Sequence, residues 1–547
     1  MWSERGPGRA ASRPGLVALG LLAAGNLLGG LRCDVVAQTL PVGDVREDYV
    51  RVLDVLGRAE VGSLTVRPLR LGDASAALQA GGHPWSGRFR PIGGVDERFN
   101  VRPTSARLRL FANTSFPVGQ NDGAVWQGKG ATTALDVGAV ASWKGLSATL
   151  WPSLIHTRNA SFELATVTVP NQSEYAYPWR RADLPQRFGP DPFWTLDMGH
   201  SELRLRGYGA TVGLGTANLW WGPSRRNAII MSNNAAGFAH VFLGTDGPLD
   251  VGVGDVEVQW VWGDLDHSEW FDSALSDTDR FVTAIVAAYS PSFLPGLSLG
   301  ASRVFYAWES VGGVAFSDYF MVFQGVRKEY FVSPENPTGD DEHDQMLSLF
   351  GRWVIPQGGF EVYWEWARND HSWNFRDLIL EPDHSQAYTL GLQKAIELRG
   401  HIVALNAELT HLERPTTREL RPTPPYYTHH VVAQGYTQRG QVIGAGVGPG
   451  GNSQHFGADL YAPWGRAGVY MGREVRDNDA FYAWAAANNG TRWEHDVLLH
   501  AGSHAVVFAG AFEVGGGLML TRELNRYFYW RDLWNLNLSL SARWRAR

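Results

Sequence analysis

The sequence predicts an all-β fold: a large antiparallel transmembrane β-barrel of about 18 strands, with a small helical N-terminal region on the periplasmic side. Three observations predict it. Apolar and polar residues alternate with a period of two in segments spread along the chain, which is typical of strands with one apolar face. The 547 residues include 23 Trp, 18 Tyr and 25 Phe, yet no helical pattern that would bury these rings in a soluble core. Beyond residue 37, no run of about 18 apolar residues provides a transmembrane helix, whereas a closed barrel crosses a bilayer without one.

Residues 1–37 are predicted to form a cleaved signal peptide. Three arginines precede an apolar stretch, Leu16–Leu31, that is interrupted by glycines. Val35 and Ala37 satisfy the preference for small residues before a cleavage site, so we expect cleavage after Ala37. The stretch is too short and too rich in glycine to favour an uncleaved membrane anchor. Export from the cytoplasm is therefore expected.

Cysteine content and charge exclude several classes of site and partner. Cys33 is the only cysteine, and Arg32 before it disfavours the alternative of a lipoprotein anchored at this residue. The mature chain is thus expected to contain no disulfide, no catalytic thiol and no zinc–thiolate site. The formal net charge of −7 argues against nucleic acid as a partner.

Residues 38–103 are predicted to form a partly helical N-terminal region on the periplasmic side of the barrel. Apolar residues recur at helical spacing between Gly43 and Gly57. Asp44 is suited to cap the N-terminus of this helix, and Glu47 three residues later completes a capping box in form. Gly57 is suited to end the helix.

Residues 104–547 are predicted to form the barrel. The alternation is clearest in four segments, residues 202–206, 256–262, 361–366 and 534–544. A soluble β-sandwich would place the apolar face inside, whereas a membrane barrel places it against lipid and lines its lumen with the polar residues. The barrel is favoured because tryptophans such as Trp364 and Trp544 lie near segment ends, where interfacial aromatic girdles form.

The length of the barrel region sets the number of strands. About 440 residues, at roughly 25 residues for each strand with its share of loop, give about 16 to 18 strands. Lys144-Gly145 and Pro295-Gly296 are predicted to be short turns on the periplasmic side. Residues 309–345 and 412–430 are predicted to be long polar loops.

Residues 218–239, NLWWGPSRRNAIIMSNNAAGFA, do not follow the strand pattern. Aromatic rings beside arginine and asparagine suit a saccharide, because rings cover its C–H faces and polar groups bind its hydroxyl or acidic groups. The alternative is a structural plug, in which the arginines pair with lumenal carboxylates and the rings pack together. The candidate polysaccharide-binding residues of this segment are Trp220, Trp221, Arg225, Arg226, Asn227, Asn233 and Asn234.

Residues 434–454, QGYTQRGQVIGAGVGPGGNSQ, form a second unusual segment that is rich in glycine. It lacks the GK[ST] of a phosphate-binding P-loop, and no strand-to-helix context surrounds it, so nucleotide binding is disfavoured. Glycines at this density favour a tight reversal, or a strand that passes close to other backbone. The candidate polysaccharide-binding residues of this segment are Gln434, Tyr436 and Arg439.

No catalytic, metal or cofactor site is predicted. Glu361 and Glu365 would face the lumen about 13 Å apart along one strand, farther than the paired carboxylates of glycosidases. Carboxylates from other strands leave hydrolysis open as an alternative. Asp264 and Asp266 beside His267 provide too few oxygen ligands for calcium.

The two unusual segments carry a resemblance to a known family, the capsule assembly proteins of the Wzi type. LWWGPSRRNAIIMSNNAAGF resembles that family's WGPG-type segment followed by its S-N-N/A-P-type turn. HHVVAQGYTQRGQVIGAGVGPGGNSQ resembles its QGYT-x-RGQ-x-x-G-x-x-x-GPG segment, and the N-terminal helix with Arg67-Pro68 is similar to its opening. The resemblance covers most of the chain after residue 37. It implies an outer-membrane barrel of about 18 strands with a helical periplasmic part.

The resemblance also implies a function: binding and organising capsular or extracellular polysaccharide at the cell surface, in a lectin-like and non-enzymatic manner. The expected partners are this polysaccharide, outer-membrane lipid, lipopolysaccharide and other components of polysaccharide export. A porin or a polysaccharide export channel is the main alternative, and it requires an open lumen. An outer-membrane hydrolase acting on glycan or lipid is a third alternative.

Overall fold

The structure is a computed structural model that describes residues 38–89, 99–271, 279–309, 313–325, 343–369, 374–487 and 494–545. The predicted signal peptide, residues 1–37, lies outside the described residues. Among the helices that the structure describes, none is long and apolar enough to cross a membrane.

Eighteen antiparallel strands form the wall of a barrel in the described part of the chain. The first four are each bent into two segments: β1 (Asn100–Pro103 and Ala106–Asn113), β2 (Gly130–Asp136 and Ala139–Trp143), β3 (Leu146–Leu150 and Ser153–Thr157) and β4 (Phe193–Asp197 and Glu202–Gly207). The next seven are β5 (Ala210–Gly215), β6 (Ala239–Thr245, continued by Leu249–Asp250), β7 (Gly254–Leu265), β8 (Arg280–Pro291), β9 (Leu297–Trp308), β10 (His343–Ile355) and β11 (Phe360–Asn369). The last seven are β12 (Gln386–Leu398), β13 (His401–His411), β14 (Asn452–Ala462), β15 (Gly465–Val475), β16 (Val497–Ala509), β17 (Phe512–Leu524) and β18 (Leu533–Trp544).

The strands follow one another around the barrel in chain order, and the last strand pairs with the first. The β18–β1 ladder runs from Asn537 opposite Asn113 to Trp544 opposite Ala106, and it closes the sheet. The first and last strands of the barrel are therefore paired with each other, and neither forms a free end of the sheet. The predicted fold class, a large antiparallel barrel, is confirmed.

The two ends of the barrel differ in the length of their connections. At one end, which we name the turn end, neighbouring strands are joined by short turns, including the predicted turns at Lys144-Gly145 and Pro295-Gly296. At the other end, which we name the loop end, the connections are long, as in residues 158–192, 216–238 and 412–451. The first and last strands both meet the chain termini at the turn end.

The predicted orientation of the alternating residues is also confirmed. In β11, Val362 and Trp364 point outward and are exposed, whereas Glu361, Tyr363 and Glu365 point inward and are buried. A barrel with an apolar outer face and a polar inner face is the arrangement that lipid around the wall requires.

Helix α1 (Val45–Val55) enters the lumen from the turn end. Asp44 caps it, since its carboxylate accepts a hydrogen bond from the Arg46 backbone N–H. Glu47 accepts one from the Gly43 N–H, and Gly57 follows the helix in the left-handed conformation. The predicted helix and its terminal residues are therefore confirmed.

Ion pairs attach α1 to the inner face of the wall. Asp48 pairs with Arg466 of β15, and Asp54 with Arg352 of β10. Arg51 donates hydrogen bonds to Glu361 of β11 and to the Pro223 carbonyl. Because breaking a buried ion pair leaves an uncompensated charge, these contacts fix the helix in one position.

The remaining helices are small. Helix α2 (Leu71–Gln79) packs against α1, whereas α3 (Phe375–Leu380) and α4 (Asn478–Ala487) lie in loop-end connections. Short 3₁₀ helices span Phe316–Phe323, Pro356–Gly358, Thr416–Glu419 and Arg526–Phe528.

The lumen contains the main hydrophobic core of the molecule. Two loop-end segments fold inward, residues 218–239 and 426–451, and together with α1 we name them the plug. Buried side chains of the plug such as Ile230 and Tyr427 pack against inward-facing side chains such as Val282 of β8. Their burial removes water from the lumen at this level and stabilises the closed arrangement.

Candidate functional site

The tryptophans of the first unusual segment are buried within the plug. Trp220 lies under the guanidinium of Arg67, 4.5 Å from its ring centre, and donates a hydrogen bond to the Ser224 carbonyl. Trp221 is fully buried and donates to the amide oxygen of Gln259 on β7, 2.9 Å away. Both residues also form a two-stranded sheet with Val66-Arg67. These contacts are those of a structural plug.

Glu408 of β13 holds the turn that follows the tryptophans. Its carboxylate accepts hydrogen bonds from the backbone N–H groups of Arg225, Arg226 and Asn227, at 2.7 to 3.2 Å. The Tyr363 hydroxyl donates to the same carboxylate at 2.8 Å. One buried carboxylate thus fixes three consecutive peptide groups and determines where their side chains point.

The two arginines of this turn have different surroundings. Arg225 donates to the amide oxygen of Gln393 and pairs with Asp48 at 3.3 Å. Arg226 lines a cavity at the loop end, and its guanidinium makes no hydrogen bond or ion pair within the part of the chain that the structure describes. Of the two candidates, only Arg226 presents a free cation to a ligand.

The three asparagines of the segment connect plug elements. Asn227 is buried and donates to Ser453 of β14. Asn233 donates to the Asn121 carbonyl, and Asn234 donates to the Val442 carbonyl, at 2.9 Å each. Asn234 additionally lines the same cavity as Arg226.

The second unusual segment forms a hairpin and a close backbone crossing, as its glycines predict. Thr437-Gln438 pairs with Gln441-Val442, and Gly440 at the tip has a φ of +81°. A Cβ at Gly444 would lie 2.1 Å from the Ile229 carbonyl oxygen, so only glycine fits where the two segments cross. The predicted reversal and the predicted close approach are both confirmed.

The candidate residues of the hairpin differ in exposure. Gln434 is buried and accepts a hydrogen bond from the indole of Trp308, and Tyr436 is fully buried between other tyrosines. Arg439, in contrast, is 46% exposed and pairs with Asp197 and Asp266. Polysaccharide contact by these ten candidates stays a prediction; Arg226 and Asn234 line one cavity, and Arg439 lines another.

A cavity of about 380 Å³ lies between the plug and the wall at the loop end; we name it the lumen cavity. Its lining is rich in aromatic rings: Phe116, Trp126, Phe162, Tyr177, Trp179, Tyr527 and Phe528. Most of these residues belong to the loops 114–129, 158–192 and 525–532. The aromatic content of these loops was the only feature of the sequence that pointed to the cavity. Loops have no regular alternation of apolar and polar residues, so their sequence does not reveal which side chains lie close together.

Charged groups of both signs line the lumen cavity. Arg226, Arg476 and Arg526 provide guanidinium groups, and Glu474, Asp477 and Asp496 provide carboxylates; the charge of Glu474 interacts with those of Arg476 and Arg226. Arg526 lies against the rings of Phe116 and Tyr527. The cavity therefore combines stacking surfaces, hydrogen-bond donors and hydrogen-bond acceptors, which are the groups that a saccharide requires.

Asp496 has an unusual protonation equilibrium. Burial, together with the nearby carboxylate of Glu523, raises the pKa of Asp496 to about 7. Its carboxylate accepts a hydrogen bond from the Tyr527 backbone N–H at 3.0 Å. The charge of the lumen cavity thus changes close to neutral pH.

The two glutamates that the sequence analysis weighed as a catalytic pair have partners in the plug and the wall. Glu361 is occupied by Arg51 and Arg352. Glu365 accepts hydrogen bonds from Ser348 and from the Ile229 backbone. Among the described residues, no group of three or more His, Cys, Asp or Glu side chains is positioned to hold a metal ion.

Comparison with known proteins identifies one family. The family model of the capsule assembly protein Wzi matches residues 99–460. Among curated proteins, none matches the chain.

Several solved structures are similar. Wzi of Escherichia coli, described as an outer membrane protein involved in group 1 capsule assembly and a carbohydrate-binding β-barrel, superposes with a TM-score of 0.62 at 13% identity, over 92% of this chain and 99% of that one. OccAB2 of Acinetobacter baumannii has a TM-score of 0.40 at 9% identity, over 81% and 98% of the two chains. The outer membrane protein OprD of Pseudomonas aeruginosa has a TM-score of 0.38 at 9% identity, over 81% and 92%.

Proposed function

The chain belongs to the capsule assembly protein Wzi family, and from this premise we propose that it binds and organises capsular or extracellular polysaccharide at the surface of the outer membrane. The loop end faces the exterior and the turn end the periplasm, because outer-membrane barrels have short periplasmic turns and long external loops. The lumen cavity then opens toward the capsule. Lipopolysaccharide, outer-membrane lipid and other components of polysaccharide export are the further partners in this proposal.

The observation that carries the proposal is the position of Arg226. Its guanidinium lies in a cavity with seven aromatic residues, at the end of the barrel that faces the capsule, and none of the described residues pairs with it. A guanidinium binds a carboxylate of an acidic sugar in a charge-assisted and often bidentate manner. The neighbouring rings cover the apolar faces of the sugar units. Asn234 provides an amide on the same surface.

The proposed role is binding rather than catalysis. A hydrolase needs a carboxyl group that is free to give or take a proton at the substrate. Glu361 and Glu365 are instead held by arginine, hydroxyl and backbone donors, and Asp477 of the lumen cavity is paired with Arg180. Glu474 and Asp496 are the carboxyl groups of the cavity whose role the turnover assay tests. Turnover assays with the bound polysaccharide, read by the release of reducing ends, are expected to show none.

The main alternative, a porin or an export channel, requires an open lumen. The plug fills the lumen with packed side chains at the level of Ile230 and Tyr427. In planar bilayers we therefore expect conductance far below that of a barrel with a water-filled lumen. Large, stable single-channel steps would favour the channel over the binding protein.

The binding proposal is tested with the capsular polysaccharide of the native cell and the full-length protein in detergent. We expect Arg226→Ala to lower affinity at least tenfold, which corresponds to loss of one charge-assisted contact of about 1.5 to 3 kcal/mol. Arg473→Ala is the matched control, because Arg473 is an exposed arginine on β15 that does not line the cavity. Equal affinities of both variants and the wild type would contradict the assignment of the lumen cavity.

A further inference from the structure

The wall of the barrel is interrupted at the loop end between β4 and β7. The upper segment of β4, Phe193–Asp197, pairs with β3 on one side, and no described strand pairs with its other edge. On the β4 side, strand β5 pairs with the lower segment alone, and it ends at Gly215. The chain then enters the plug and returns to the wall only at Ala239, opposite Asp264 of β7. Among the residues that the structure describes, a lateral gap is left above the ends of β5 and β6.

The hairpin of the second unusual segment closes this gap from the inside. Arg439 at its tip pairs with Asp197 of β4 at 3.1 Å and with Asp266, beyond the end of β7, at 2.8 Å. Its backbone N–H donates to the Asp266 carbonyl at 3.0 Å. Arg439 has a positive φ of 48°, which places its side chain at the reversal of the hairpin. One arginine thus bridges the two sides of the interrupted wall.

A cavity of about 670 Å³ lies at the gap; we name it the wall cavity. Trp126, Trp194 and Trp270 contribute aromatic surface to it. Trp126 and Gln441 also line the lumen cavity, so the hairpin and one indole separate the two spaces. The wall cavity is therefore positioned between the lumen and the lipid that surrounds the barrel.

We propose that the wall cavity binds the saccharide headgroup of an acylated glycan in the outer leaflet, and that this headgroup carries no negative charge. The acyl chain would lie along the outer face of β4, where Trp194 is 67% and Leu196 70% exposed. The headgroup would enter beside Thr195, which points inward from the unpaired edge.

Charge decides the class of headgroup. Arg439 pairs with both Asp197 and Asp266, and the carboxylates of Asp191 and Glu269 also line the cavity, so four carboxylates surround one guanidinium. A phosphate or a carboxylate would be repelled there, whereas hydroxyl and ammonium groups donate hydrogen bonds to carboxylates. The tryptophan rings cover the faces of the sugar.

The test is photo-crosslinking of the full-length protein in phosphatidylethanolamine nanodiscs. Thr195 is replaced by p-benzoylphenylalanine, and dodecyl glucosaminide is the probe. Intact-mass spectrometry of the protein measures the adduct. We expect at least fivefold more adduct with dodecyl glucosaminide than with dodecyl phosphate or with free glucosamine at equal concentration. The first comparison tests the charge of the headgroup, and the second tests the need for the alkyl chain.

Two further positions make the result specific to the wall cavity. His267 lies on the opposite side of the cavity, and the same photoreactive residue there should also prefer dodecyl glucosaminide. This variant is used instead if the one at position 195 does not assemble. At Met519, which faces the lumen cavity, the photoreactive residue should give no adduct. When Trp270→Ala is combined with the photoreactive residue at position 195, the adduct with dodecyl glucosaminide should fall severalfold. Equal labelling by the phosphate, or by the headgroup without its chain, would overturn the proposal, and neither result depends on polysaccharide binding at Arg226.

Discussion

Arg225 and Arg226 are consecutive in the chain, but the Glu408 carboxylate fixes their peptide groups so that the two guanidinium groups lie in different environments. Arg225 is paired with Asp48 of α1, and that carboxylate is also paired with Arg466 of the wall. Burial by itself would raise the pKa of Asp48, but these two guanidinium groups lower it. Arg226 takes no part in this network and lines the lumen cavity.

This difference in surroundings predicts that Arg225→Ala lowers the stability of the barrel, whereas Arg226→Ala lowers polysaccharide attachment. Arg225→Ala removes one of the two partners of Asp48, which is 43% exposed and keeps Arg466, so we expect a loss of stability of about 1 kcal/mol. It should lower the temperature at which the folded barrel converts to the unfolded form on gels. Arg226→Ala should leave that temperature unchanged and release polysaccharide from cells. Cell-attached polysaccharide and folded barrel are measured in the same strains. Loss of polysaccharide only in proportion to lost barrel, in both variants, would favour a plug without a binding role.

The two faces of β18 predict the next pair of variants. Leu540 points outward and is 60% exposed, whereas its neighbour Ser539 points into the lumen. An arginine facing lipid near the bilayer midplane costs about 2 to 4 kcal/mol, so Leu540→Arg should reduce assembly in the outer membrane. Ser539→Arg should assemble at nearly wild-type levels, because Ser539 lies opposite Phe111 and Gly517 and not opposite a charged residue. The measurement is the amount of heat-modifiable barrel in membrane fractions. Equal assembly of both variants would contradict the assignment of the faces.

The attachment of α1 to the wall predicts a large difference between two glutamates. Glu361 is buried and pairs with both Arg51 and Arg352. Among the described residues, Glu361→Gln therefore leaves buried Arg51 without a carboxylate partner and Arg352 with Asp54 alone. We expect a loss of about 3 to 5 kcal/mol in the free energy of unfolding in urea. Glu397→Gln is the control, because its pair with Arg58 is exposed and solvent screens it. Similar losses in the two variants would show that the buried network does not hold the plug.

The raised pKa of Asp496 predicts a dependence of stability on pH. The folded-state pKa of about 7 lies above the unfolded value of about 3.9, so the folded protein binds more protons between these two values. The free energy of unfolding should therefore fall as pH rises from about 4 to about 7, by at most about 1.4 kcal/mol per pH unit from this group. The difference between wild type and Asp496→Asn isolates its contribution. A difference that is constant across this range would contradict the raised pKa.

Much of the fold follows from local sequence. The alternation in residues 361–366 and 534–544 predicts both the strands and the side of the wall on which each residue lies, because successive side chains of a strand point in opposite directions. Asp44 and Gly57 predict the two ends of α1 for a similarly local reason. The glycines of residues 434–454 predict a tight reversal or a close crossing, and the structure has both.

The sequence by itself thus determined the barrel, its apolar outer face, the capped N-terminal helix and the two segments that depart from the strand pattern. Only the tertiary structure decided that Arg225 is paired while Arg226 is free, and that Arg439 bridges a gap in the wall. These pairings could not be predicted from the sequence because the paired residues are far apart along the chain. Asp48 and Asp197 lie far from the arginines that they meet, and a period of two carries no information about contacts across a lumen. Those contacts exist only once the closed sheet has placed its inward-facing side chains around the plug.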